Sequence, residues 1–226
     1  MAFEERKTCE GLLVQPHDEQ SEPIPVVEEQ SEPIPVADAH CHLDQLCKRG
    51  SSAGLYKLDN LGTMQEYHTS LNYIVANYVY PGAWPSSSKR SDLREDPHIY
   101  FTFGIHPRLV LSESSNSLVH MFKKLKDMVK STRTVGVGEC GLDTTDGPTD
   151  SEFQKQIVYF RKQIQLAVDN NLTIVVHSRG KPDVHHQTLD SLINICPSSQ
   201  PIHWHCFTGS TNFRLSYKHL SFISTH

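Results

Sequence analysis

The stretch Asp38-Ala39-His40-Cys41-His42 follows the apolar run Ile34-Pro35-Val36. Two histidines one residue apart on a strand point to the same face. At a strand end, two imidazoles on one face can hold a divalent metal ion between them. The pattern continues down the chain. His106 follows an apolar run at 99–105, Glu139 closes one at 134–139, His177 follows 172–176, and His203 and His205 lie within 201–207. A lone histidine beside a strand is more often a surface or satisfied core residue than a ligand. A histidine or glutamate at one strand end after another points instead to a metal centre assembled from distant parts of the chain.

Such a centre needs strands whose ends meet. Strand-like runs are read at 36–38, 72–79, 99–105, 134–139, 172–176, 201–207 and 220–224. Helical spacing of apolar residues falls between them, at 63–71, 116–130, 153–167, 186–195 and 211–219. A loop with Pro85 and three serines follows the second strand, and Thr149 or Asp150 can cap the helix that carries Phe153, Ile157, Phe160, Ile164 and Ala167. Repeated β-then-α units imply a parallel sheet with helices outside it. The fold class expected is α/β, a TIM-type (β/α) barrel, in which the carboxyl ends of all strands share one rim. A full barrel needs eight strands, and seven are read here.

The composition is that of a globular chain of 226 residues with a formal net charge of −5, so no overall basic field attracts nucleic acid. A polyanionic substrate would need local help from metal ions or a few placed arginines. The six cysteines form no CxxC pair and no disulfide framework, which suits a reduced, intracellular protein of nucleus or cytoplasm. No signal-peptide pattern opens the chain, and no apolar run reaches membrane-spanning length. Residues 1–35 read as a disordered, acidic, Pro-containing tail in which Glu19 to Val26 recurs as Glu29 to Val36. The domain expected is 36–226.

The residues around the strand ends resemble one family. Asp38-Ala39-His40-Cys41-His42-Leu43-Asp44 is similar to the DxHxHL opening of the TatD-type metal-dependent deoxyribonucleases. Gly104-Ile105-His106-Pro107 resembles that family's GIHP, Val137 to Asp143 its GEIGLD, Val176-His177-Ser178-Arg179 its HSR, and His205 to Ser210 its HCFSGS. The five motifs stand in the family's order.

The resemblance implies a metal-dependent hydrolase that cleaves phosphodiester bonds of DNA or RNA as a 3′-5′ exonuclease, by a two-metal mechanism. Carried over position by position, His40, His42 and Glu139 would hold one ion. Glu139 would bridge to a second, held by His177 and His205. Mixed imidazole and carboxylate ligands suit Mg²⁺, Mn²⁺ or Zn²⁺. Glu139 and His106 are the catalytic candidates, with His106 on the substrate side. Arg179 and Arg108 are candidate phosphate contacts, with surface salt bridges the plain alternative for each. Asp44 and Asp143 read as partners that orient histidines, His203 as a buried neighbour of His205, and His185-His186 as an exposed pair at a helix start. The expected partner is nucleic acid, met by a monomer away from any membrane.

The family's ETD motif after its eighth strand has no counterpart before His226, so the barrel reads as incomplete, without its eighth strand and closing helices. Weakened metal affinity is the expectation from that. Two other readings stand beside the nuclease. One is a small-molecule amidohydrolase, whose barrels also open with His-x-His but often bridge their metals with a modified lysine where Glu139 stands. The other is a catalytically impaired binding or regulatory form.

Overall fold

The computed structural model describes residues 32–49, 69–93, 97–207 and 221–225. Seven strands form one sheet, β1 (Ile34–Cys41), β2 (Thr69–Tyr78), β3 (Ile99–Phe103), β4 (Thr134–Asp143), β5 (Thr173–Arg179), β6 (Pro201–His205) and β7 (Ser221–Thr225). They lie in sequence order, and every neighbouring pair is parallel. Six helices belong to the same description: α1 (Leu43–Arg49), α2 (Ser87–Leu93), α3 (Pro107–Ser112), α4 (Ser115–Met128), α5 (Asp150–Asp169) and α6 (Asp183–Ile193). No helix is long and apolar enough to cross a membrane, among the described residues.

The sheet is strongly curled. β1 and β6 stand five strands apart, which in a flat sheet is roughly 24 Å. Yet the rings of His40 and His205 stack with centroids 3.6 Å apart. Only a sheet rolled as in a TIM-type barrel brings these two strand ends together. Among the described residues no further strand joins β7 to β1.

The core follows from the apolar strands. Ile99, Phe101 and Phe103 on β3 and Ile174 and Val176 on β5 are buried, as parallel strands covered on both faces require. The longest helix, α5, opens on a capping box in which Thr149 and Glu152 satisfy each other's backbone groups. Phe160, Ile164 and Ala167 are buried on its inner face, and Phe153 and Ile157 pack partly buried against the same core.

Two polar residues share that inner face. Gln163 accepts from the amide of Ile105 at 2.8 Å and donates to the carbonyl of Ile105 at 3.1 Å. Gln156 does the same for Asp143, at 2.8 Å and 2.9 Å. Both glutamines are fully buried. Each satisfies the backbone where a strand gives way to the loop that follows it. The Gln163→Leu variant leaves a buried N–H and a buried C=O unpaired. Each such group costs about 1–3 kcal/mol, so a loss of roughly 2–6 kcal/mol is expected in urea unfolding. A loss under about 1 kcal/mol would show that water replaces the amide.

Several elements differ from their sequence reading. Residues 69–71, placed at the end of a helix by their spacing, open β2, while 63–68 lie outside the described residues. The Ser-rich stretch after Pro85 is not all loop, since α2 forms there. α1 and α3 are short and carry little periodicity to betray them. β4 and β5 run past their apolar stretches, to Asp143 and Arg179, because ladder bonds continue through the polar residues at the rim. Ile193, within the apolar spacing read at 186–195, is 47% exposed at the last turn of α6. His185, read as exposed, is buried and bonds the hydroxyl of Ser178 at 2.9 Å. The helix read at 211–219 and residues 1–31 of the tail, with most of its repeat, lie outside the described residues.

Candidate metal centre

Glu139 lies where β4 passes the rim, buried to 4% exposure. The glycine before it makes that position reachable. Gly138 has a φ of +143°, and a Cβ there would meet the backbone carbonyl of Val175 on β5. Gly104 in turn lies against Gly138, where a Cβ would come within 2.5 Å of a backbone carbon. The close backbone approach brings the carboxylate in among the histidines of neighbouring strands.

Three imidazoles face Glu139 directly. His40 Nε2 is 3.2 Å and His205 Nε2 3.5 Å from its Oε1, and His42 Nε2 is 4.0 Å from its Oε2. On the other side, ligating atoms of His106, Glu139 and His177 all lie within 4.8 Å of one another, as do those of His40, His42 and Glu139. Glu139 is thus common to two groups of candidate ligands. His205 sits on the His40 side, with its ring parallel to that of His40, whereas His177 sits beside His106 with ring centroids 4.5 Å apart.

The chemistry of the donors fits a cation. Ring Nδ1 of His42 approaches the carbonyl of Asn77 at 3.3 Å. A carbonyl only accepts, so Nδ1 carries the proton and Nε2 presents a lone pair. That lone pair faces a carboxylate oxygen, an arrangement that a positive ion between them stabilises. His40 adds a second sign. Both of its ring nitrogens are buried and neither has a hydrogen-bond partner among the described residues, the 3.2 Å contact to Glu139 falling outside hydrogen-bond geometry. A buried unpaired nitrogen is costly, and metal coordination is one way to satisfy it.

Electrostatics point the same way. Burial alone would raise the Glu139 carboxyl, but the adjacent His40 ring and the fields of His177 and His106 hold it down to about 2. Burial, with His177 nearby, pushes His106 down to about 4, and burial with His40 nearby does the same for His205. At neutral pH these two rings are therefore neutral, which is the ligating form of imidazole. No lysine or arginine pairs with Glu139 among the described residues.

The remaining candidates divide. Arg179, at the end of β5, is exposed and lines a cavity of about 240 Å³ together with Glu139, His106, His177 and His205. Among the described residues its guanidinium has no partner. Arg108 is committed elsewhere. Its Nε meets Asp143 at 3.2 Å and Asp146 at 3.4 Å, and it donates to Thr145 at 2.8 Å. Asp143 also accepts from His177 at 3.1 Å. Burial raises the Asp143 carboxyl, yet His177 and Thr145 hold it well below the usual carboxylate range. Asp143 thus joins Arg108 to His177. His203 is buried on β6, with its ring edge-on to that of His40 at 5.8 Å, and burial lowers its pKa.

Three contributors escaped the sequence reading. Asn77 is a buried amide within an apolar strand. Its own carbonyl orients His42, and its side chain accepts from Thr102 and donates to Val75. Gln156 and Gln163 are the other two. A polar residue at the centre of NYIVANYV, and two glutamines seven apart beside an apolar helical stripe, were the available signals.

A curled parallel α/β sheet that gathers five imidazoles about one buried carboxylate at its carboxyl rim defines a class of barrel with a candidate His–carboxylate metal centre. Within that class the chain belongs to the TatD related DNase family, whose model matches residues 37–224. It is 27% identical over 175 residues to the human protein named 3′-5′ RNA nuclease TATDN2, covering 76% of this chain and 22% of that protein. It is 27% identical over 168 residues to the 3′-5′ ssDNA/RNA exonuclease TatD of Erwinia billingiae, covering 74% of this chain and 54% of that protein. The chain thus spans about half the length of the bacterial relative and less of the human one. Among solved structures it matches YJJV, a TatD homologue from Escherichia coli K12, with a TM-score of 0.59 at 21% identity, over 83% of this chain and 66% of that one. That likeness supports the barrel fold.

Proposed function

We propose that the protein is a metal-dependent nuclease that releases nucleotides from the 3′ end of single-stranded DNA or RNA. The observation that carries this reading is Glu139, an ionised, buried carboxylate shared by two candidate ligand groups and paired with no lysine or arginine among the described residues. Family membership and the names of the two nuclease relatives support the substrate class. In this reading His40, His42 and Glu139 would hold one divalent ion, with His205 stacked on His40 at the same side of the carboxylate, and Glu139 with His177 would hold the other. Bound divalent cations supply Lewis acidity and offset phosphate charge at such a centre.

The chain's own residues do the rest. Glu139 stays ionised and anchors both groups. His42 is oriented by Asn77, and His177 by Asp143. The amide of Arg108 donates to Nδ1 of His106, so the neutral ring carries its proton on Nε2 and offers it as a donor toward substrate. Arg179 donates to a phosphate oxygen from the cavity lip. Arg108 serves as a brace for Asp143.

The test is 3′-nucleotide release from end-labelled single-stranded DNA and RNA with Mg²⁺ or Mn²⁺. Absence of release from either polymer would overturn the reading. A phosphate contact of a charged donor contributes about 1.5–3 kcal/mol, so the Arg179→Ala variant is expected to raise KM about 10- to 150-fold with a smaller change in kcat. An unchanged KM would remove Arg179 from the phosphate site. The Arg108→Ala variant is the contrasting case, expected to act through the position of Asp143 and His177.

A further inference from the structure

One aromatic ring at the rim is used neither by the core nor by the candidate ligands. Tyr80 follows β2 and is 39% exposed. One face of its ring is backed by His106, with centroids 5.8 Å apart and planes 29° from parallel. His106 in turn meets His177 edge-on at 4.5 Å. The three rings make a continuous row from the candidate metal ligands out to solvent.

The turn that carries Tyr80 is held from several sides. The carbonyl of Tyr80 accepts from Ala83 at 2.8 Å, and Pro81 behind it is buried, with its carbonyl accepting from Lys124 at 3.3 Å. Trp84, also buried, donates from its indole to the carbonyl of Tyr78 at 2.8 Å and packs edge-on to Phe103. The amide of His106 donates to the carbonyl of Val79 at 3.2 Å. The ring is therefore preorganised, and little side-chain freedom is left to lose when a ligand covers it. Arg108, in the same rim, is bound to Asp143 and Asp146.

A flat, half-exposed ring, stiffly mounted beside a phosphodiester-cleaving centre, suits a planar ligand group. We infer that Tyr80 is the platform on which a nucleobase of the bound strand stacks, adjacent to the phosphate that the metal centre engages. The inference rests on the nuclease reading above and adds the element that lets the site prefer unpaired strands. In a duplex the base faces are covered by their neighbours, whereas in a single strand a terminal base can turn onto a protein ring. Stacking of this kind tolerates every base, since each has a π-face. Burial, together with the negative charge of Glu139, raises the Tyr80 hydroxyl, so the ring stays neutral near the phosphate.

The experiment measures binding rather than turnover. A phosphorothioate-linked thymidine hexamer and a hexamer of the same backbone lacking bases are titrated into the full chain in Mg²⁺, with fluorescence anisotropy as readout. Variants Tyr80→Leu, Tyr80→Phe and Tyr80→Trp are compared. Stacking predicts that Tyr80→Leu weakens binding of the thymidine hexamer about 5- to 150-fold while leaving the base-free hexamer unchanged. Tyr80→Phe and Tyr80→Trp should bind as the parent does. Equal binding by Tyr80→Leu and parent would overturn the inference, and so would a Tyr80→Phe variant as weak as Tyr80→Leu, which would assign the contact to the hydroxyl. If the parent binds neither hexamer, the nuclease reading falls and the stacking platform with it, an outcome distinct from both others.

Discussion

Replacing Glu139 by Gln is expected to abolish divalent-metal binding at the rim and to lower phosphodiester hydrolysis by about 10³-fold or more. The substitution keeps the shape of the side chain and removes only its charge. In the native chain both carboxylate oxygens face imidazoles, Oε1 toward His40 and His205 and Oε2 toward His42. With Nδ1 of His42 committed to Asn77, the lone pair on its Nε2 has no proton to meet. A cation between them resolves that opposition in the native chain. The amide introduced by Glu139→Gln would also offer N–H groups to the histidines, closing the space into which an ion must fit. Titration with Mn²⁺ followed by electron paramagnetic resonance reads the affinity, and circular dichroism checks that the fold persists. Retention of metal affinity within about tenfold would show that the imidazoles alone form the site.

The second large effect is on stability. Gly138→Ala is expected to destabilise the fold by roughly 3–5 kcal/mol, at the upper end of single substitutions. Two penalties coincide at this residue. Its φ of +143° is a conformation that L side chains rarely adopt, and the added methyl would run into the carbonyl of Val175 on the adjoining strand. Neither strand can move away easily, because β4 and β5 are paired on both sides of the irregularity at Glu139, from Gly136 to Gly138 and from Cys140 to Asp143. Urea unfolding measures the loss. Metal affinity should fall in the same variant even where it stays folded, since Glu139 is the next residue. A cost under about 1 kcal/mol would mean that the ladder shifts to admit the methyl.

How far the sequence carried the description depends on what each residue does. The ligand candidates were legible because metal binding demands particular residue types, and a parallel sheet places strand ends on one rim. The strand count and the parallel order were legible for a related reason, since buried parallel strands such as 172–176 are nearly continuous in apolar residues. The partition of the histidines around Glu139 was not legible. That His205 stacks on His40 while His177 pairs with Asp143 and His106 depends on how tightly the sheet rolls, which no local pattern encodes. Arg108 reads as a phosphate contact until three-dimensional proximity gives it to Asp143 and Asp146. Asn77, Gln156 and Gln163 were hidden because a polar side chain serving a backbone group resembles, in sequence, one that faces water. Gly138 and Gly141 of TVGVGECG do not say in sequence what they approach, and the carbonyls of Val175 and His177 on β5 supply the answer.

The two glutamines of α5 have a wider consequence. They stand seven residues apart, which is close to two helical turns and roughly 10.5 Å of axial rise. One grips the backbone just before His106, the other grips Asp143. The helix therefore acts as a ruler between two loops whose side chains meet at the same candidate metal centre. A single inserted residue between them would turn one glutamine by about 100° away from its strand end. Outside this segment α5 can vary along its solvent face, but between Gln156 and Gln163 its length is fixed, and a helix on the outside of the barrel carries a constraint that belongs to the site.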